Sequence, residues 1–273
     1  MSRILAQASA KPRPAAQILL VIIAVPAGAL LLSQAPAQAQ SKDQIILNKS
    51  NCSLSNSKNE DPYIIRGATK VNSGDYQGAI ADSTQAISSN PHNVLAYNNR
   101  AVARNFLGDH QGAIADLTQA IAINPQCADT FFNRGSFKSD LNDTQGAIAD
   151  FNQAIAINPN YAYAYHARGT AKSQLGDIKG AIADFNQAVA INPKYAYAYT
   201  GRGVAKSQLG DAKGAITDFT LAITTNPRLA IAWGYRGLAK SQLGDMLGAC
   251  EDTKKSASLG SSVAQRLLPK FCQ

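Results

Sequence analysis

The chain has 273 residues, 45% of them hydrophobic and only 16% charged, so it has apolar material for a core and contains at least one very apolar stretch. Its net charge of +8 invites a nucleic-acid reading, but the charge is unevenly placed. Residues 60–259 carry 18 Lys+Arg against 17 Asp+Glu, whereas the flanks carry the other 8 cations against Asp43 alone; the basic face that nucleic acid requires is absent.

In chain order, Arg3, Lys11 and Arg13 form a positive start, and Ile18 to Leu32 is an unbroken run of apolar residues, Gly28 and Pro26. Two small-x-small sites follow, Ala35-Pro36-Ala37 and Ala37-Gln38-Ala39. This is the three-part pattern of a secretory signal peptide, expected to cover residues 1–39. The alternative is an uncleaved N-terminal membrane anchor, for which the run is somewhat short of the roughly 20 residues a spanning helix needs. Either reading places the rest outside the cytoplasm: periplasmic, lumenal or secreted after cleavage, or membrane-anchored through residues 18–32. Residues 40–59, rich in Ser, Asn and Lys, read as a flexible linker.

From residue 60 an internal repeat dominates. Asn-Pro recurs at 90–91, 124–125, 158–159, 192–193 and 226–227, always 34 residues apart. Gly-Asp recurs at 74–75, 108–109, 176–177, 210–211 and 244–245, with Asn142-Asp143 in the missing slot. Arg followed by Gly recurs at 66, 134, 168, 202 and 236, with Arg100-Ala101 filling that gap. Each unit reads as two helices. In the fourth, the spacing predicts a first helix from about Ala162 to Leu175, stopped by Gly176, which readily adopts the left-handed conformation. Asp177 is placed to cap a second helix from Gly180 to about Ile191, with Ile182, Phe185, Ala188 and Val189 on its apolar stripe. Pro193 ends it. Neither stripe can be buried within one unit, so the units must stack.

This pattern resembles the tetratricopeptide-repeat family. An early aromatic (Tyr63, Tyr97, Phe131, Tyr165, Tyr199, Trp233) is followed four residues later by a small residue (Gly67, Ala101, Gly135, Gly169, Gly203, Gly237). Ala79, Ala113, Ala147, Ala181, Ala215 and Ala249 follow downstream, with Phe151, Phe185 and Phe219 four beyond three of them. The resemblance covers six repeats, 60–93, 94–127, 128–161, 162–195, 196–229 and 230–261. It implies an all-α fold, a right-handed superhelix of stacked antiparallel helix pairs. Residues 262–273 read as a C-terminal capping helix, with Val263, Leu267, Leu268 and Phe271 covering the exposed end. The outer repeats depart from the pattern: Ser83 and Thr253 stand where Phe is usual, and Ser261 replaces the closing Pro.

Two charge ladders admit two readings. Arg66, Arg100, Arg134, Arg168, Arg202 and Arg236 lie four residues before Lys70, Arg104, Lys138, Lys172, Lys206 and Lys240. They could form a stripe for an acidic partner. The favoured reading pairs them with Asp82, Asp116, Asp150, Asp184, Asp218 and Asp252, since like charges four apart on one helix repel unless countered. His92 and His110 fall at turns, and no His, Cys or acid stands at metal-ligand spacing, so no metal or cofactor is expected. Of Cys52, Cys127, Cys250 and Cys272, the pair Cys250–Cys272 would staple the cap to the sixth repeat, but sequence leaves connectivity open. No hydrolase, phosphate-loop or zinc-protease signature is present, and no enzyme is expected.

In the family the resemblance points to, the first helices line a concave groove. Its inward positions correspond here to Asn98 and Asn105; Asp129, Phe132 and Ser136; Tyr163, His166, Thr170 and Ser173; and Tyr197, Thr200 and Ser207. Tyr163, His166, Thr170, Tyr197 and Thr200 are expected at its centre. Such a groove lacks the Lys and Arg of the family's clamp for C-terminal carboxylates. It suits an uncharged peptide segment or a partner's helix. The expectation is therefore a non-catalytic, exported protein-binding scaffold, with a membrane-anchored assembly factor for an envelope or thylakoid complex as the alternative.

Overall fold

The structure, a computed structural model, describes residues 61–272. The expected signal or anchor segment, the linker and Cys52 lie outside the described residues. Within them are thirteen helices and no strand. They run in six pairs: α1 (Pro62–Ser73) with α2 (Tyr76–Ser89), α3 (Val94–Phe106) with α4 (His110–Ile123), α5 (Ala128–Asp140) with α6 (Thr144–Ile157), α7 (Ala162–Gln174) with α8 (Ile178–Ile191), α9 (Ala196–Gln208) with α10 (Ala212–Thr225), and α11 (Ala230–Gln242) with α12 (Met246–Ser258). A last helix, α13 (Ser262–Phe271), follows. None of these helices is long and apolar enough to cross a membrane.

The turn within each pair is built by the Gly-Asp step. Gly176 takes φ +84°, and Asn142, the one non-glycine among the described residues with positive φ, takes +64° in the same slot. A short amide side chain is the least costly substitute for Gly there. Asp177 then accepts a 2.9 Å hydrogen bond from the Gly180 amide. That amide sits at the third helical position, so the second helix begins at Ile178, two residues before Gly180. Between pairs, Asn192 is extended, and its side-chain oxygen accepts from the Lys194 amide at 3.0 Å, closing the turn over Pro193.

Phe151, Phe185 and Phe219 are essentially fully buried. Each fills the space beside a glycine of its own first helix: a Cβ on Gly135, Gly169 or Gly203 would stand 2.8, 3.0 or 2.7 Å from the ring. Phe185 also reaches Gly201 of the next pair, where an added Cβ would meet it at 2.7 Å. Small residues thus let the helices close on a large one, and the same ring joins successive units.

The charge ladders meet as ion pairs. Arg168 Nε and Nη2 donate to both carboxylate oxygens of Asp184, while Lys172 reaches the same carboxylate at 2.8 Å. Arg168 Nη1 donates to Asn152 of the preceding unit at 2.7 Å, and its guanidinium lies over the Tyr165 ring. The same bidentate clamp recurs in all six pairs. In the first, the Arg66 guanidinium holds the Asp82 carboxyl down to about 2. The basic ladder is therefore spent inside the fold.

At the C-terminal end, Ser261 caps α13 and Phe271 is buried, while Val263, Leu267 and Leu268 remain half-buried. Cys250 of α12 is disulfide-bonded to Cys272, holding the cap to the sixth pair. No free cysteine occurs among the described residues.

Candidate partner-binding groove

Successive first helices pack against one another (α1 on α3, α3 on α5, α5 on α7, α7 on α9, α9 on α11), whereas no comparable packing joins successive second helices. Helices crowd on the inside of a curved stack, so the first helices form the inner, concave face.

The eight side chains expected to line it divide in two. Tyr163, Thr170, Tyr197 and Asn105 are half-exposed. Asn105 Oδ1 lies 2.8 Å from His110 Nδ1, and the Thr170 hydroxyl donates to the His166 carbonyl. Asn98, Phe132, His166 and Thr200 are buried instead, and this corrects the expectation that they face a ligand. All four occupy the same register, the fifth residue of their repeat. The turn into the next helix pair, or that pair's first helix, covers Asn98, Phe132 and His166. Asn98 donates to Thr130 at 2.9 Å, Phe132 packs on Tyr161 with ring centroids 5.2 Å apart, and His166 Nδ1 lies 3.1 Å from the Tyr195 hydroxyl. Burial alone pushes the His166 imidazole down to about 4, so it is neutral at pH 7.

The slot 29 residues on holds Cys127, Tyr161, Tyr195 and Leu229, all buried, and sequence reasoning passed over them; Tyr161 and Tyr195 meet Phe132 and His166 directly, and Thr130 links Asn98 to Cys127. Each of the four occupies the N-cap position of a first helix yet makes no side-chain cap hydrogen bond. Losing a cap costs about 1 kcal/mol, while burying a large apolar side chain returns about 1.5–3 kcal/mol. Cys, Tyr or Leu in a slot that favours Ser, Asp or Asn was the available signal. Burial raises the Tyr161 phenol, helped by Asp129 beside it.

These plugs and the exposed tyrosines make a continuous aromatic chain along the concave face. Tyr161 meets Tyr163 (6.5 Å), Tyr163 meets Tyr195 (4.9 Å), and Tyr195 meets Tyr197 (6.3 Å). Beyond Tyr197 the face opens into a cleft of about 240 Å³ between α11 and the cap. Among the described residues, no cluster of His, Cys, Asp or Glu is arranged to hold a metal.

A tetratricopeptide-repeat family model matches residues 66–128, and a second TPR-repeat model matches 140–176 and 169–210. No curated protein sequence matches the chain. Among solved structures, MamA is 26% identical, with 63% of this chain and 98% of that one covered at a TM-score of 0.55. PilW, described as a type IV pilus biogenesis factor, is 24% identical over 76% of this chain and 96% of its own, at 0.69. YrrB, described as a TPR protein with an unusual peptide-binding site, is 19% identical over 69% and 97%, at 0.55. Two matching repeat models, six helix pairs on a 34-residue period and these structural likenesses agree: residues 66–128 and 140–210 are tetratricopeptide repeats, and the described residues form a solenoid of that kind.

Proposed function

We propose that the chain is a non-catalytic protein-binding scaffold whose concave face takes an extended peptide segment or a partner's helix. The observation that carries this reading is the aromatic chain from Tyr161 to Tyr197, half-exposed at Tyr163 and Tyr197 and backed by buried rings. A tyrosine held by its neighbours offers large contact area with little rotamer entropy left to lose. The peptide-binding site described for YrrB supports the same use of the fold. We further propose that the scaffold works outside the cytoplasm. The apolar run at 18–32 with its small-residue sites supports export, as does the Cys250–Cys272 disulfide, since such bonds persist in oxidising compartments.

A photo-crosslinking amino acid placed in turn at 163, 197, 179 and 213 in the host tests the groove. Positions 163 and 197 are on the concave face; Lys179 and Lys213 are exposed on the second helices. Protein adducts are expected from 163 and 197. Adducts from 179 and 213 alone would overturn the reading. N-terminal sequencing of the purified protein tests export by cleavage: a start near Gln38 or Gln40 is expected, and an intact Met1 or Ser2 would favour the anchor.

A further inference from the structure

The fifth residue of successive repeats is Ile64, Asn98, Phe132, His166 and Thr200, each a buried side chain, the first four packed or hydrogen-bonded onto the chain that leads into the next unit. In the sixth repeat it is Gly234, and on the cap the N-cap slot that Tyr161 and Tyr195 fill is held by the small Ser261, with Val263 two residues further on. The wedge is missing at this one junction. A Cβ on Gly234 would find Ser256 Oγ at 3.2 Å and otherwise open space. The space left is the cleft, walled by Tyr197, Leu229, Ile231 and Leu238 on one side and by Val263 and Leu267 of α13 on the other. At about 240 Å³ it falls below the roughly 300–1,000 Å³ of small-molecule sites, a size for one or two side chains rather than a cofactor.

The helices that build the outer wall carry a charge bias. From residue 246 to 272 the cations are Lys254, Lys255, Arg266 and Lys270, all exposed; of the two acids, Asp252 is buried between Arg236 and Lys240, leaving Glu251 alone at the surface. We propose that this cleft is the anchor pocket of the concave face and takes an apolar side chain of a partner peptide flanked by acidic residues. The apolar residue replaces the missing wedge, and its acidic neighbours are drawn to the exposed cations of α12 and α13. The outer wall is held by the Cys250–Cys272 disulfide, so the pocket depends on that bond. This rests on the reading of the concave face as a peptide site.

The probe is a random dodecapeptide phage library panned on the full-length oxidised protein, with affinities of the enriched peptides measured on variants. Enriched peptides should carry an apolar residue beside Asp or Glu. Gly234→Phe, which refills the wedge, should weaken them about thirtyfold or more, the loss typical of an anchor. A Cys250→Ser/Cys272→Ser double variant, which frees the wall without touching the six repeats' cores, should do the same and keeps the test decisive if Gly234→Phe folds poorly. Wild-type affinity in both variants overturns the proposal; loss in Tyr163→Ala under those conditions would leave the groove reading standing without the cleft, and no loss there would remove both. Enriched peptides without acidic residues overturn the stated chemistry. A dimer of the protein that Gly234→Phe dissolves would give the cleft to a second copy and likewise overturn it.

Discussion

Arg168 and Asp184, sixteen residues apart on the two helices of one repeat, form a two-bond clamp at 2.9 and 2.6 Å, and the third arm of the same guanidinium reaches back to Asn152 of the preceding repeat. One side chain therefore ties a helix pair internally and to its neighbour. The pair is not an isolated surface bridge of small value. The Asp184 carboxylate is buried and held from a second side by Lys172.

The two halves of the clamp are not equivalent. Arg168→Ala leaves Asp184 with Lys172 and should cost about 1–3 kcal/mol. Asp184→Ala strands two cations against each other and should cost about 3–5 kcal/mol. Thermal unfolding followed by circular dichroism should show the larger drop for Asp184→Ala, at roughly 2–4 °C per kcal/mol. Binding of a concave-face partner should be nearly unchanged in Arg168→Ala; loss of the partner at unchanged stability would make the basic ladder the binding site.

Phe185 and Gly201 form one close contact between the fourth and fifth repeats. Gly201→Ala places a Cβ 2.7 Å from the ring and should cost about 1–3 kcal/mol by overpacking. Phe185→Leu shortens the ring that would be struck. The double variant should then lose less than the sum of the single losses, with a coupling of about 0.5–3 kcal/mol in denaturant titrations. Simple additivity would mean that the backbone yields rather than the ring.

His166 should make stability fall with acid. Its imidazole stays neutral in the folded chain down to about pH 4, whereas an unfolded chain takes up the proton near 6.5. Between those values the unfolded state binds more protons, so stability is full above about pH 6.5 and declines as pH falls toward 4, by on the order of 3 kcal/mol in all. His166→Phe, the residue type the third repeat uses at Phe132, should flatten that decline whatever it does to absolute stability. An unchanged slope between pH 6.5 and 4 would show that His166 is solvated.

The 34-residue ladders alone determined the helix pairs and their turns, and favoured the Arg–Asp pairing that the structure shows. Those features are local: Gly176 and Asp177 act within one turn, and Arg168 meets Asp184 through two consecutive helices. The register of the concave face was not legible in the same way. Tyr163 and His166 lie one turn apart on the same helix, and nothing local distinguishes the one that stays half-exposed from the one that is buried. The difference arises because the turn into the next helix pair, where Tyr195 is the N-cap of α9, brings Tyr195, 29 residues away, over His166 and leaves part of Tyr163 uncovered. The Gly234 cleft and the Cys250–Cys272 bond are of the same kind. Each depends on where α13 lands on the sixth repeat, and side chains that meet only across stacked units are brought together by tertiary packing rather than by any periodicity within one helix.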